Sequence, residues 1–74
     1  MQNVEFFLNG EFVELHKLLK ALGVSESGGA AKALVSRGEV LVDGAVELRK
    51  GFKLRPGHVV EAGDQRITVR VGQS

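Results

Sequence analysis

The chain has no cysteine, tryptophan or tyrosine, and only one proline among its 74 residues. Without cysteine, it can form neither a disulfide framework nor a thiolate metal site, which is typical of a reducing cytoplasm. No apolar run approaches the roughly 18 residues of a membrane-spanning helix, and the start lacks the basic and apolar segments of a signal peptide. We therefore expect one small cytoplasmic domain, residues 1–74, with no membrane partner.

The sequence also lacks the residue patterns of a catalytic or cofactor site. His16 and His58 are far apart and have no third ligand at metal-site spacing. There is no Ser/His/Asp order, and Gly28-Gly29 is too short for a nucleotide-binding loop. We therefore predict a non-enzyme with no metal, no cofactor and no small-molecule substrate.

Positive charge is concentrated in one part of the chain, although the formal net charge is only +1. Residues 17–55 contain eight Lys/Arg and four Asp/Glu, whereas the remainder contains two and five. Such segregation matters for the field that a polyanion experiences. The pattern favours either a basic binding surface or a simply solvated charged face.

Two short helices are predicted, near residues 15–22 and 28–37. The first carries a stripe with the i, i+3, i+4, i+7 spacing of an amphipathic helix: Leu15, Leu18, Leu19 and Leu22. The second carries a narrower apolar stripe: Ala30, Ala31, Leu34 and Val35. Gly23 and Gly38 end the two helices, and Ser25 or Ser27 can cap the second one.

The rest of the sequence predicts strands and turns. Asp43-Gly44 between apolar segments is a strong signal for a type I′ hairpin, and residues 55–58 form a Pro-Gly turn before a strand over 59–62. At the start, Val4 to Leu8 alternates, and Asn9-Gly10 could turn the chain into a short strand at Phe12–Val13. We predict an α+β domain with two helices packed on a small, mostly antiparallel sheet.

The helix pair and the hairpin together resemble the S-four RNA-binding domain, named after the fourth protein of the small ribosomal subunit. The resemblance covers about residues 14–62 and rests on these residues: Leu15, Leu18-Leu19, Gly23, Ser27, Ala31, Leu34-Val35, Gly38, Val40 and Val42-Asp43-Gly44. Segments 25–28, 42–44 and 47–50 are similar to those of the short, stand-alone bacterial members. The resemblance implies an αL fold that binds structured ribosomal or transfer RNA without catalysis, as a cytoplasmic monomer.

The lead candidates for phosphate and sugar contacts form the densest cationic run: Arg49, Lys50, Lys53 and Arg55. Lys32 and Arg37 bracket the second helix and are further candidates. Many S-four domains have Ser-Arg at the start of that helix, but this chain has Ser27-Gly28. The missing cation leaves the bare N–H groups of the helix start to receive a phosphate.

The aromatic side chains have mainly structural interpretations. Phe52, between Gly51 and Lys53, could stack on an unpaired base, but packing in a small core is favoured. Phe6, Phe7 and Phe12 are expected in the core or covering an edge.

Two other functions fit parts of the sequence. The opening strand, turn and leucine stripe resemble the ubiquitin-like sulfur carriers, but those end in Gly-Gly, and this sequence ends in Gly72-Gln73-Ser74. A ribosome-associated protein-docking domain with the same fold is the other alternative.

Overall fold

The computed structural model describes residues 1–72, in which two helices pack against one face of a five-stranded sheet. The helices are α1 (Leu15–Ala21) and α2 (Gly28–Ser36). The strands are β1 (Gln2–Phe7), β2 (Val13–Glu14), β3 (Val40–Val42), β4 (Ala45–Val46), β5 (Lys53–Leu54), β6 (Val59–Ala62) and β7 (Gln65–Arg70). The predicted α+β class and both helices are confirmed, whereas Gln73 and Ser74 lie outside the described residues.

The five-stranded sheet has the order β1-β7-β6-β3-β4. Its β3–β4, β3–β6 and β6–β7 pairs are antiparallel, as predicted, but β1 runs parallel to β7. In that register Val4 lies opposite Ile67, and Phe6 lies opposite Val69. Parallel pairing with the last strand therefore lets the apolar face of β1 join the core.

The opening hairpin predicted at Asn9-Gly10 does not form as a strand pair. The returning strand is β2, and it pairs with β5 in a separate two-stranded ribbon, with Val13 opposite Leu54. Leu54 is fully buried, so this pairing extends the core beneath the ribbon. The sulfur-carrier alternative loses the opening hairpin on which it depended.

The leucine stripe of α1 forms the centre of the core. Six of the eight predicted core side chains are buried: Leu15, Leu18, Leu19, Val35, Val40 and Val42. Leu22 and Leu34 are half-buried and pack against the same cluster. Phe6 also packs there, but Phe7 points to the other face of β1 and is 50% exposed.

The start of α2 is capped by Ser27, whose Oγ accepts a hydrogen bond from the Ala30 N–H at 3.1 Å. This is the usual role of serine at a helix N-cap. Ser25, the other candidate cap, is buried in the connection between the helices instead.

The Asp43-Gly44 hairpin turn has positive φ at both central residues, 53° and 85°. That combination defines a type I′ turn and matches the twist of the flanking strands. The predicted hairpin is therefore confirmed, with Leu41 opposite Val46 and Val42 opposite Ala45.

We expect Leu19→Ala to lower the free energy of unfolding by about 2–5 kcal/mol, because Leu19 is fully buried and truncation leaves a cavity. Leu34→Ala should cost less, because Leu34 is only half-buried. Urea unfolding of the two variants measures the difference. A loss from Leu19→Ala no larger than that from Leu34→Ala would contradict this order.

We expect Gly44→Ala to destabilise the protein by about 1–2 kcal/mol, the cost of holding an L-residue in the left-handed region. A β-carbon at Gly44 would meet no heavy atom within 4 Å, so the loss isolates the backbone conformation. Gly28→Ala is the matched control: its β-carbon also enters open space, at a helical position where alanine is favoured over glycine. Thermal melts should show a lower Tm for Gly44→Ala and no decrease for the control.

Candidate nucleic-acid interface

Six Lys/Arg side chains surround the ribbon of β2 and β5 and the start of α1, and we call them the basic surface: Lys17, Lys32, Arg49, Lys50, Lys53 and Arg55. All six are exposed. Glu14 lies among them, opposite Lys53 in the ribbon and 3.2 Å from the Lys17 ammonium. A hydrogen bond from Lys17 lowers the pKa of Glu14, and the charge of Lys32 adds to this effect.

The loop before β5 is fixed to the start of α1 by backbone hydrogen bonds. The Leu15 N–H donates to the Phe52 carbonyl at 2.9 Å, and the His16 N–H donates to the Lys50 carbonyl at 3.1 Å. The N-cap residue Glu14 makes no side-chain capping bond. The loop carbonyls therefore satisfy helix N–H groups that would otherwise lack partners, and they hold the loop cations in place.

The ring of Phe12 packs against two of these cations. The Lys53 ammonium lies 5.0 Å and the Arg55 guanidinium carbon 5.7 Å from the centroid of its ring, within the range of cation–π attraction. Phe12 itself is 39% exposed, so it is a surface platform and not part of the core. Across residues 1–72, no carboxylate oxygen lies within ion-pairing distance of Lys50, Lys53 or Arg55.

Arg49 differs from these free cations because it is paired with Glu47. Its Nε and Nη2 donate to the two carboxylate oxygens at 2.9 and 3.2 Å, and its backbone N–H donates at 2.9 Å. These bonds lower the pKa of Glu47 and raise that of Arg49. The Arg49 guanidinium also lies 4.8 Å from the centroid of the Phe52 ring.

The remaining predicted site residues fall at the margins of the basic surface or outside it. Gly28 begins α2 one turn before Lys32, on the same helical face. Ser27 uses its hydroxyl as the helix cap. Lys32 lies near enough to Glu14 for its charge to lower the pKa of that carboxyl. Arg37, at the other end of α2, pairs instead with Glu39 at 2.6 Å.

Three contributors to the basic surface were not predicted from the sequence: Phe12, Glu14 and Lys17. Lys17 lies opposite the leucine stripe and would ordinarily be interpreted as a solvated residue. Phe12 and Glu14 gain their positions from the pairing of β2 with β5. Two-residue strands separated by the whole helix pair leave no periodic signal in the sequence.

A side-chain network links the hairpin turn to the aromatic ring of the loop. Asp43 accepts a hydrogen bond from the Val59 N–H at 2.9 Å and lies 2.8 Å from His58 Nδ1. The hydrogen bond from the Val59 N–H has the largest effect in lowering the pKa of Asp43, and the hydrogen bond with His58 has the next largest. The His58 ring in turn packs edge-on against Phe52, with the centroids 5.6 Å apart.

Two classes of site receive no support in the described residues. Neither α1 nor α2 is long and apolar enough to cross a membrane. Among residues 1–72, no cluster of three or more His, Asp or Glu side chains could hold a metal ion.

Residues 6–70 match the family model of the S4 domain, and the chain belongs to that family. A similar protein is YbcJ of Escherichia coli (strain K12), named as a candidate RNA-binding protein, which is 47% identical over 57 residues, 77% of this chain and 81% of YbcJ. RlbA of Bacillus subtilis (strain 168), named as a candidate ribosome maturation protein, is 43% identical over 54 residues, 73% of this chain and 76% of RlbA.

The fold is similar to the solution structure of YbcJ from E. coli, which is described as revealing an αL motif involved in RNA binding. The TM-score is 0.64 at 38% identity, covering 96% of this chain and 89% of the other. The family and the αL fold that the sequence predicts are therefore confirmed.

We expect acid to remove the contribution of Asp43 to stability. Its pKa is lowered in the folded state, so its stabilising contribution is present above the unfolded pKa of about 3.9 and is lost as the pH falls through the folded value. Asp43→Asn keeps a residue that tolerates the turn and an oxygen that accepts from Val59. The Tm difference between wild type and variant should therefore shrink between about pH 5 and pH 3. An unchanged difference would mean that the charge of Asp43 does not stabilise the fold.

Proposed function

We propose that this protein is a non-catalytic RNA-binding module that binds structured ribosomal or transfer RNA through the basic surface. The observation that carries the proposal is the set of cations, Lys50, Lys53 and Arg55, that have no carboxylate partner within residues 1–72 and lie on a fixed loop and ribbon. The names of YbcJ and RlbA and the αL motif of the YbcJ structure support RNA as the ligand. The ribosome maturation role in RlbA's name favours ribosomal RNA.

Phosphate contacts supply most of the affinity in this proposal. Lys53 and Arg55 project from the same side of an extended segment, because both lie over the Phe12 ring. Two residues apart on a strand, they are separated by about 7 Å along the backbone. Lys50 and Lys32, both exposed, add further positive charge to the surface. Such point charges bind a phosphate backbone and position the protein without reading the base sequence.

Shape is the second component of recognition. An A-form helix hides its base edges in a deep, narrow groove, so proteins bind it through backbone contacts and surface form. The ribbon and the start of α1 offer a rigid surface of this kind, because hydrogen bonds from Leu15 and His16 fix the loop. We therefore expect similar affinities for structured RNAs of unrelated sequence.

Neutralising free cations should make RNA binding weaker and less dependent on salt. Three phosphate contacts predict a log–log slope of affinity against salt of about −2 to −3. The double substitution Lys50→Gln/Lys53→Gln should make the slope shallower by about one per contact and lower the affinity for different RNAs by similar factors. Titration of a fully paired RNA hairpin at several salt concentrations measures both quantities.

The charge-matched control is Arg37→Gln/Arg66→Gln. Arg37 lies at the C-terminal end of α2, paired with Glu39, and Arg66 lies just after the turn that joins β6 to β7, paired with Glu61. Both are exposed, and neither belongs to the basic surface. Equal losses from the two double variants would indicate diffuse attraction and contradict a defined site, provided that both variants keep the wild-type Tm.

A further inference from the structure

An open cleft of about 380 Å³ lies within the basic surface, lined by Arg49, Gly51, Phe52 and Lys53. Its volume is near the lower end of the range of small-ligand sites, about 300–1,000 Å³. The lining combines a planar cation, an aromatic ring, a residue without a side chain and an ammonium group. This composition suits a flat, apolar-faced group that carries a negative charge at one end, such as a nucleotide.

The planar guanidinium of Arg49 is held in a fixed orientation. Glu47 accepts hydrogen bonds from two of its N–H groups, Nε and Nη2, at 2.9 and 3.2 Å, and the Glu47 side chain is itself only 13% exposed. Phe52 lies on one face of the guanidinium, with 4.8 Å between the guanidinium carbon and the ring centroid. The Arg49 side chain nevertheless remains 74% exposed. A fixed, exposed guanidinium plane is a surface on which nucleobases stack.

The Phe52 ring is fixed as well. His58 packs against it edge-on, its backbone carbonyl accepts from the Leu15 N–H, and part of the side chain packs against the core. Phe52 is half-buried, so it combines the packing role expected from the sequence with a face in the cleft. Because the ring is already fixed, little conformational entropy is lost when a ligand binds, which favours stacking.

We propose that this cleft receives one unpaired nucleobase of the bound RNA, which stacks on the exposed face of the Arg49 guanidinium, backed by the Phe52 ring, while Lys53 binds its phosphate. The proposal rests on the proposed RNA-binding function and assigns Arg49 to base stacking instead of phosphate binding. It defines the ligand class as structured RNA with an extruded or bulged nucleotide. Any base can occupy the cleft, because every base offers a π-face.

The test compares two RNA hairpins that differ only in one bulged nucleotide, the fluorescent adenine analogue 2-aminopurine. Arg49→Lys keeps the positive charge but removes the planar group. Because the Arg49 side chain is 74% exposed, the variant should keep the wild-type Tm, which a thermal melt checks. We expect wild type to bind the bulged hairpin about five- to tenfold more tightly than the paired one, and to change the fluorescence of the bulged base on binding.

Arg49→Lys should abolish this preference and the fluorescence change, and it should weaken binding of the bulged hairpin by a much larger factor than binding of the paired one. Phe52→Leu provides the second variant and should act in the same direction. If wild type binds both hairpins equally, or if Arg49→Lys weakens both by the same factor, the cleft is not a base site although RNA binding stands. If wild type binds neither hairpin, the proposed function fails as well.

Discussion

The arrangement of this surface depends on the backbone contact between the start of α1 and the loop that precedes β5. A helix start must find partners for its free N–H groups, and here two loop carbonyls provide them through Leu15 and His16. The adjoining β2–β5 pairing sets Glu14 opposite Lys53. This one contact region places residues from distant parts of the chain on the same surface.

Electrostatic pairing divides the cations of the chain into two kinds. A carboxylate oxygen lies within 3.2 Å of each of three cations: Arg37, Arg49 and Lys17. The negative charge of that partner weakens their attraction for another anion. Lys50, Lys53 and Arg55 have no such partner within residues 1–72 and are held by backbone and aromatic contacts instead. A protein with a net charge of only +1 can thus present a locally positive surface, because its carboxylates neutralise cations elsewhere or fix their geometry.

The sequence predicted the elements whose signals are local. The leucine stripe of α1, a serine cap for α2 at either Ser25 or Ser27, and the Asp43-Gly44 turn each depend on residues within a few positions of one another. It did not predict the parallel β1–β7 pair or the β2–β5 ribbon, because both join distant segments and β2 has only two residues. The same limit applies to the site: the cationic run was visible, but Phe12, Glu14 and the Glu47–Arg49 pair acquire their roles only in three dimensions.

The core and the basic surface share a boundary at Leu15, so that one residue serves both the fold and the geometry of the surface. Its side chain is fully buried, while its N–H holds the Phe52 carbonyl at the cleft. Leu54 has the same role in β5: its side chain is buried, whereas its neighbours in sequence, Lys53 and Arg55, are exposed. Because tightly packed interiors resist deformation, these buried leucines fix the spacing of the charged groups on either side. The small core therefore does more than stabilise the fold: it presets the spacing of the charged groups through which we propose that RNA is bound.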